Sequence, residues 1–431
     1  MMTEEEYMRR AIELARRAAG RTNPNPMVGA VIVKDGRIIG EGYHRRIGEL
    51  HAERNALAGC TESVEGATIY VTLEPCCHYG KTPPCTEAIL EHKLAKVVIG
   101  SRDPNPKVAG KGAAMLREAG VEVVEDFLRE ECDALNPVFF QYIREKQPYV
   151  AMKYAMTADG KIAADSGDSK WITGEAARSH VQELRNYYKG IMVGIGTVLA
   201  DDPSLTCRMP QPVSDDYGEE RNVSGYYGRN PVRIVCDSHL QIPLESKLCN
   251  TIDQAPVVVA CLKEEDYVRD CMCKETEYFA SDDSDSAKIR IVTNVNRDVD
   301  SKTVSLLSED LLRQSYRKRL QELKGKGVQI LTVEEKQGHI DLQCLLTELG
   351  KLEIDGILVE GGGSLNSSLI REGLVHHIYA YIGAQIFGGL NGYTPVSGAG
   401  IQKVSESLKL TALNVKVFGD DVLLEYDIKK E

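Results

Sequence analysis

Within thirteen residues, LEPCCHYGKTPPC at 73–85, the chain places three cysteines and a histidine, and His51-Ala52-Glu53 lies upstream of them. A catalytic zinc site takes three protein ligands and keeps its fourth position for water. His51, Cys76 and Cys85 would supply one nitrogen and two thiolates. Glu53 stands two residues after the histidine, too close to be a spare ligand but well placed to handle the proton of a water. Bound zinc brings the pKa of water toward roughly 7, and Glu53 would carry that proton to a leaving amine. Eight residues, CHYGKTPP, separate Cys76 from Cys85, so Cys77 and His78 compete as ligands. Cys85 is preferred because Pro84 and the helical stretch after it copy the setting of a ligand at a helix start. The plain alternative is free cysteine packed in a core. The ordered set His51, Glu53, Pro75, Cys76 and Cys85 argues against it.

A second place for chemistry lies far downstream. GIGTVL, 194–199, starts as Gly-x-Gly but has leucine where a dinucleotide fingerprint needs its third glycine, so by itself it is a weak signal. ILVEGGGSLNSSLI is stronger: an apolar strand runs into Gly361-Gly362-Gly363 and then a helix. Amides at a helix N-terminus bind anions, and glycine lets a pyrophosphate approach the backbone. A tight strand-to-helix turn is the alternative.

Elements that could position these residues follow from pattern. Thr3 with Glu6 resembles a capping box, and Tyr7, Ile12, Leu14 and Ala18 give an amphipathic helix of about four turns. VGAVIVKDGRIIGEGYH predicts a hairpin turning at Asp35-Gly36. A helix starts at HAERNALAGC, a strand lies in ATIYVTLEPC, a helix follows Pro84, and AKVVIGSRDPNP is again a strand. A helix near 111–119, a strand at 121–124 and a helix at 126–135 complete an α/β layer unit. A charged stretch meeting a proline at REKQPYV divides the chain into domains 1–146 and 147–431. The second domain has predicted strands at 149–155, 191–195, 232–236, 256–261, 328–332 and 356–360. Polar segments at about 209–230 and 264–308 interrupt it, and the second of these lacks a hydrophobic period, which predicts a surface excursion or a mobile insertion. Cys271 and Cys273 lie in it and are expected to be surface or packing residues.

At 431 residues, two or three domains are expected from a prior of roughly 150 residues each. With 42% apolar and 27% charged residues the composition is that of a soluble globular protein. No run approaches the roughly 18 apolar residues a membrane span needs. The N-terminal MMTEEEYMRRAIELARR is charged from its fourth residue and does not resemble a secretory signal. Twelve cysteines fit a reducing cytoplasm. A formal charge of −12 argues against nucleic acid as the main partner. A small phosphorylated substrate needs only an arginine or two.

His-x-Glu followed by Pro-Cys is the signature of zinc deaminases, in which the glutamate is not a ligand. TNPNPMVGAVIV, HAE and EPCCHYGKTPPC, with the long spacing between cysteines, resemble the deaminase half of the bifunctional riboflavin-biosynthesis deaminase–reductase family. Members commonly carry serine where this chain has Cys77. MKYAMTADGKIA, SKWITGEAAR, GTVLADDPSLTCR and LVEGGGSLN resemble the reductase half, in the same order. The resemblance covers nearly the whole chain apart from the two polar segments.

It implies a cytidine deaminase-like three-layer domain followed by a dihydrofolate reductase-like domain that uses NADPH. The implied substrate is a diaminopyrimidinone bearing a ribosylamino 5′-phosphate. Loss of its 2-amino group is followed by reduction of the ribosyl group to ribityl. In the first half Asn25 and His44 become candidates for the substrate and Lys81 for its phosphate. Asn25 could instead only shape an Asn-Pro turn, His44 cap a strand, and Lys81 be solvated. Ala155, Trp171, Thr197, Asp201, Ser238 and Gly362, Gly363, Ser364, Leu365, Asn366, Ser367 and Ser368 are implied at the cofactor. Ser169, Arg185, Leu205, Arg208 and Glu360 are implied at the substrate. Arg185 and Arg208 could grip a phosphate bidentately, and Lys153 or Glu360 could deliver a proton to the opening sugar. Trp171, the single tryptophan, could equally be a core residue. Self-association is also implied. Two rivals remain: a nucleic-acid base deaminase, which leaves everything after residue 150 unexplained, and a zinc-structured binding protein, which has no use for Glu53.

Overall fold

The computed structural model describes residues 2–80, 82–210, 228–273, 277–280, 287–290, 301–389 and 392–429. The capping box is formed, with Glu6 N donating to the Thr3 hydroxyl at 3.2 Å and Thr3 N to the Glu6 carboxylate at 2.7 Å. It starts α1 (Glu4–Arg16), whose Tyr7, Ile12 and Leu14 are buried. β1 (Gly29–Lys34) and β2 (Arg37–Tyr43) turn at Asp35-Gly36, both at positive φ, as a two-residue hairpin loop requires. Then come α2 (Ala52–Ala58), β3 (Thr68–Leu73), α3 (Cys85–Glu91), β4 (Lys96–Ser101), α4 (Lys111–Glu118), β5 (Glu122–Val124) and α5 (Arg129–Asp133). The helix expected over 126–135 is only this short piece, because Asp126 and Leu128 hold left-handed backbone at φ 60° and 50°, which a helix cannot continue through.

These strands form one sheet in the order β2-β1-β3-β4-β5, with β1 antiparallel to its neighbours and β3, β4 and β5 parallel. Side chains alternate between its faces. Ala30, Ile32, Ile69, Val71, Val97 and Ile99 share a core with Ala52, Ala56, Ile89 and Leu116 of α2, α3 and α4. Val31, Val33, Tyr70 and Val98 share another with α1. The result is helix, sheet, helix.

α6 (Pro137–Glu145) was not expected from sequence, although proline at a first helical turn is a usual start. It lies between the two sheets. Phe139 and Phe140 pack with Leu73, Val138 packs with Ala151 and Leu358, and the Tyr142 hydroxyl donates to Gly350 O at 3.1 Å.

The rest of the chain runs β6 (Tyr149–Thr157), α7 (Glu175–Tyr187), β7 (Gly190–Gly194), α8 (Ile195–Asp201), β8 (Val232–Cys236), α9 (Lys247–Asn250), β9 (Val257–Leu262) and α10 (Glu264–Cys273). It continues with β10 (Glu277–Ala280), β11 (Ala287–Arg290), α11 (Ser301–Gly325), β12 (Gln329–Val333), β13 (Glu335–Lys336), β14 (His339–Ile340), α12 (Leu342–Lys351) and β15 (Gly356–Val359). α13 (Gly363–Arg371), β16 (His377–Gly383), β17 (Leu410–Phe418) and β18 (Asp421–Ile428) complete it. Nine strands make the second sheet, ordered β12-β9-β8-β7-β15-β6-β16-β18-β17. It is parallel from β12 to β16, and β18 and β17 extend it antiparallel.

All six strands expected in this half are present in the large sheet, to which β16, β17 and β18 are additional, and β10 with β11 and β13 with β14 form two small two-stranded sheets. The expectation of a surface excursion over 264–308 is corrected at its start. Tyr267, Val268 and Cys271 of α10 are buried in the main core, where Leu312, Tyr316 and Leu323 of α11 meet them. Segments 211–227 and 291–300, and the Cys273 side chain, lie outside the described residues. Among the described residues no helix is long and apolar enough to cross a membrane.

Candidate active sites

Three elements converge on the first site. His51 is the N-cap of α2, Cys76 follows β3, and Cys85 opens α3. The His51, Cys76 and Cys85 ligand atoms lie within 4.8 Å of one another, the one such group among the described residues. His51 Nδ1 is 3.4 Å from Cys76 Sγ and 3.5 Å from Cys85 Sγ. The competing residues are elsewhere: Cys77 Sγ faces Lys107 O at 3.7 Å, and neither it nor His78 joins the group. Arg54 holds the end of the intervening loop by donating to Pro83 O and Pro84 O at 3.2 and 2.8 Å, and Cys85 N donates to Cys76 Sγ at 3.3 Å. The hydrogen bond from Cys85 and then that from His51 draw the Cys76 thiol well down, while the Cys85 thiol is pushed up. One imidazole and two close thiols are a donor set that fits zinc.

Glu53 sits in the first turn of α2 and is 3% exposed. Burial, then the charge of Cys76, raises its carboxyl pKa, and His51 opposes them. It is thus a buried, proton-capable group beside the ligand set. Asn25 Nδ2 lies 3.4 Å from His44 Nε2, and the His44 ring meets the His51 ring edge-on with centroids 5.3 Å apart. His44 therefore borders one of the ligands, and Asn25 contacts His44. Lys81 lies outside the described residues.

The second site lies at the carboxyl ends of parallel strands, where open α/β sheets bind ligands. Twelve positions were expected at its cofactor and six at its substrate, and all but Ser367 line one cavity of about 1410 Å³. Ser367 is buried in α13, 4% exposed, and the structure does not bring it to the cavity. Gly362 is the N-cap of α13. A Cβ on Gly363 would fall 2.6 Å from Thr394 O, so only glycine lets the 394–397 segment cross there. Trp171 is 64% exposed with Arg178 4.6 Å over its ring, which removes the core-packing alternative.

Lys153 and Glu360 meet at one part of this cavity. Arg185 holds Glu360 through Nε and Nη2 at 2.7 and 3.0 Å, and Lys153 Nζ is 3.9 Å from Glu360 Oε2. The Arg185 fork is therefore turned to Glu360, and its Nη1 to Thr206 O at 3.1 Å. Arg208 Nη1 donates to the Thr206 hydroxyl at 3.0 Å. Burial alone would raise the Glu360 carboxyl, but Arg185 and Lys153 hold it at about 2. Burial lowers the Lys153 ammonium pKa, and Glu360 limits the fall.

Sequence reasoning missed several lining residues. Arg178, Val181 and Gln182 line the cavity with Arg185, and their spacing of three and four along α7 was a usable signal. His339 and Arg371 also line it, as do Tyr393, Ser397 and Gly398. The last three reach it by tertiary folding alone.

Comparison with known proteins finds matches to both halves of the chain. Residues 1–101 match the cytidine and deoxycytidylate deaminase zinc-binding region, and 148–278 with 272–424 match the RibD C-terminal domain. The riboflavin biosynthesis protein RibD of Actinobacillus pleuropneumoniae is 46% identical over 425 residues, covering 99% of this chain and 95% of that protein. RibD of Escherichia coli K12 is 35% identical over 427 residues, covering 98% and 99%. The structure of Acinetobacter baumannii RibD superposes with TM-score 0.76 at 32% identity, covering 99% of both chains. A Thermotoga maritima structure titled diaminohydroxyphosphoribosylaminopyrimidine deaminase/5-amino-6-(5-phosphoribosylamino)uracil reductase gives 0.73 at 35% identity, covering 99% and 98%. With both halves matched in order and nearly end to end, this chain belongs to the RibD family of riboflavin biosynthesis proteins.

Proposed function

We propose that this chain catalyses two consecutive steps of riboflavin biosynthesis, dividing them between residues 1–146 and 147–431. The first is hydrolytic deamination of 2,5-diamino-6-ribosylamino-4(3H)-pyrimidinone 5′-phosphate, and the second is NADPH-dependent reduction of its ribosyl group to ribityl. The observation that carries the reading is the His51, Cys76 and Cys85 group with buried Glu53 beside it. Family membership supports it.

His51, Cys76 and Cys85 would hold zinc, which supplies Lewis-acid activation of water at neutral pH. Glu53 takes a proton from the attacking water and passes it to the departing amino group. Burial suits it to this, because a raised carboxyl pKa lets it hold the proton between the two transfers. Asn25 and His44 hold the ring, and Lys81 the phosphate. In the second half the wide cavity and the glycines before α13 suit a dinucleotide together with substrate. NADPH supplies the hydride. Glu360 is held as an anion and arginine does not deprotonate, so Lys153 is the group that delivers a proton to the opening sugar. Arg208 meets the phosphate.

The chain self-associates through β17 and β18. Leu410, Ala412, Val415 and Val417 lie opposite Ile428, Tyr426, Leu424 and Val422, giving one apolar face, while Thr411, Asn414 and Lys416 take the other. Val415 and Val417 are 60% and 69% exposed, and β17 is the outermost strand, an arrangement that lone proteins avoid. Residues 401–429 hold four basic and five acidic groups, so a second copy meets little of the repulsion that a charge of −12 imposes elsewhere. Sedimentation should give a dimer or larger assembly, which Val415→Lys reduces to monomer. A monomeric wild-type chain contradicts this.

Turnover of the aminopyrimidine phosphate with and without NADPH tests the two activities. Ammonia should appear in both cases, and NADPH should be consumed only after it. Cys76→Ala should abolish ammonia release yet still reduce supplied deaminated intermediate. Loss of both activities in that variant, still folded, contradicts the division near residue 146.

A further inference from the structure

Asn25 sits in a loop, residues 19–27, that is held from both halves of the chain. Asn186, the penultimate residue of α7 and 4% exposed, donates through Nδ2 to Ala19 O at 3.3 Å. Gly20 lies directly against it, since a Cβ there would fall 2.3 Å from Asn186 O. Asn23 Nδ2 donates to Asp355 Oδ2 at 2.8 Å. Asp355 is 1% exposed and immediately precedes β15, the strand that delivers Glu360. Inside the loop, Asn25 N donates to Thr22 O at 2.7 Å, and Thr22 is 2% exposed. Beyond it, Met27 and Asn136 exchange two hydrogen bonds of 2.8 and 2.9 Å. Ile47 N also donates to Arg21 O at 3.2 Å, so two of the four anchors, Asn186 and Asp355, are residues of the reductase half.

Contacts continue from this loop to the ligand set. Asn23 is two residues from Asn25, whose amide faces His44, and His44 packs on His51. The His44 ring is itself fixed through Nδ1 at 3.1 Å from Leu50 O.

We infer that Asp355 and Asn186 are positioning residues for the deaminase site, holding the 19–25 loop so that Asn25 meets the substrate beside the metal ligands. The inference rests on the reading of the first site as a deaminase. The Asn23–Asp355 hydrogen bond is short and its acceptor is buried, so the contact orders the loop before substrate arrives. Without it, substrate binding must order the loop itself. Glu53 and the ligands lie outside the contact, so the cost falls on KM rather than kcat.

Asn23→Ala tests this in the full chain, with the aminopyrimidine phosphate as substrate. The deaminase KM should rise roughly three- to tenfold, as expected for losing one buried hydrogen bond, with deaminase kcat, zinc content and reductase kinetics unchanged. Asp355→Ala should give the same rise, and the double variant no more than either alone, because the two residues act through one contact. Should Asp355→Ala fail to fold, Asn186→Ala supplies the arm from the second half and should also raise the deaminase KM. A wild-type deaminase KM in zinc-loaded Asn23→Ala overturns the inference, and so do additive effects in the double variant. Failure of the deaminase reading is seen separately, as absence of ammonia release by the wild-type chain.

Discussion

Glu360→Gln removes the single negative charge from a buried cluster that also holds Arg185 and Lys153. The carboxylate accepts two hydrogen bonds from Arg185 and lies 3.9 Å from Lys153 Nζ, and the Arg185 and Glu360 side chains are each 11% exposed. Its pKa is held at about 2 against an ordinary 4.5. At 1.36 kcal/mol per pH unit, that difference is roughly 3 kcal/mol of stability. Orphaning one partner of a buried pair costs about 3–5 kcal/mol, the same order. Glutamine keeps the shape, so the loss is one of charge. A depressed carboxyl pKa stabilises fully above 4.5 and loses its effect as pH falls from there toward about 2. Urea unfolding followed by circular dichroism should therefore show the variant about 3 kcal/mol less stable at neutral pH. The gap should shrink as the solution is acidified below 4.5. Deamination should persist in buffer, since the first sheet is untouched. A variant that unfolds at the wild-type urea midpoint at neutral pH would refute the reasoning.

Lys153→Met should bind NADPH normally, as judged by fluorescence titration, yet fail to reduce the deaminated intermediate. In the wild type, reduction should slow as pH rises through the Lys153 pKa, which burial places below the ordinary 10.5, because only the ammonium can donate. A rate that is flat across this alkaline range speaks against the lysine as donor. Arg208→Ala should weaken substrate binding by about ten- to a hundredfold while leaving NADPH affinity nearly intact. Lysine should restore only part of it, and equal weakening of both ligands would move Arg208 to the cofactor.

Much of the first domain was legible because its elements carry local signals. The Thr3 and Glu6 box, Asp35-Gly36 and Pro84 each start or turn an element through chemistry that needs no distant partner. The ligand set was legible for a different reason, since few residue types bind zinc and their order was informative. What failed was tertiary. The polar stretch 264–273 forms a helix because Tyr267, Val268 and Cys271 bury against distant β9 and α11, a pattern too sparse to read alone. α6 was missed although Pro137 marks its start, because its apolar residues bury against both halves at once, a placement that only the tertiary fold supplies. β17 hides its period behind an irregular register at Ala412–Asn414. In the second site, Arg185 was found by resemblance, but its engagement with Glu360 depends on α7 lying over the end of β15, which spacing cannot express.

The most direct test is Glu53→Gln, with metal content and ammonia release measured on the same preparation. The His51, Cys76 and Cys85 ligands are untouched, so zinc should remain at one per chain. The amide cannot carry a proton from water to the leaving amine, so ammonia release should fall by at least about a hundredfold, within the range that acid–base groups contribute. Reduction of supplied deaminated intermediate should continue unchanged. Zinc-loaded Glu53→Gln that still releases ammonia at the wild-type rate would contradict the account at its centre.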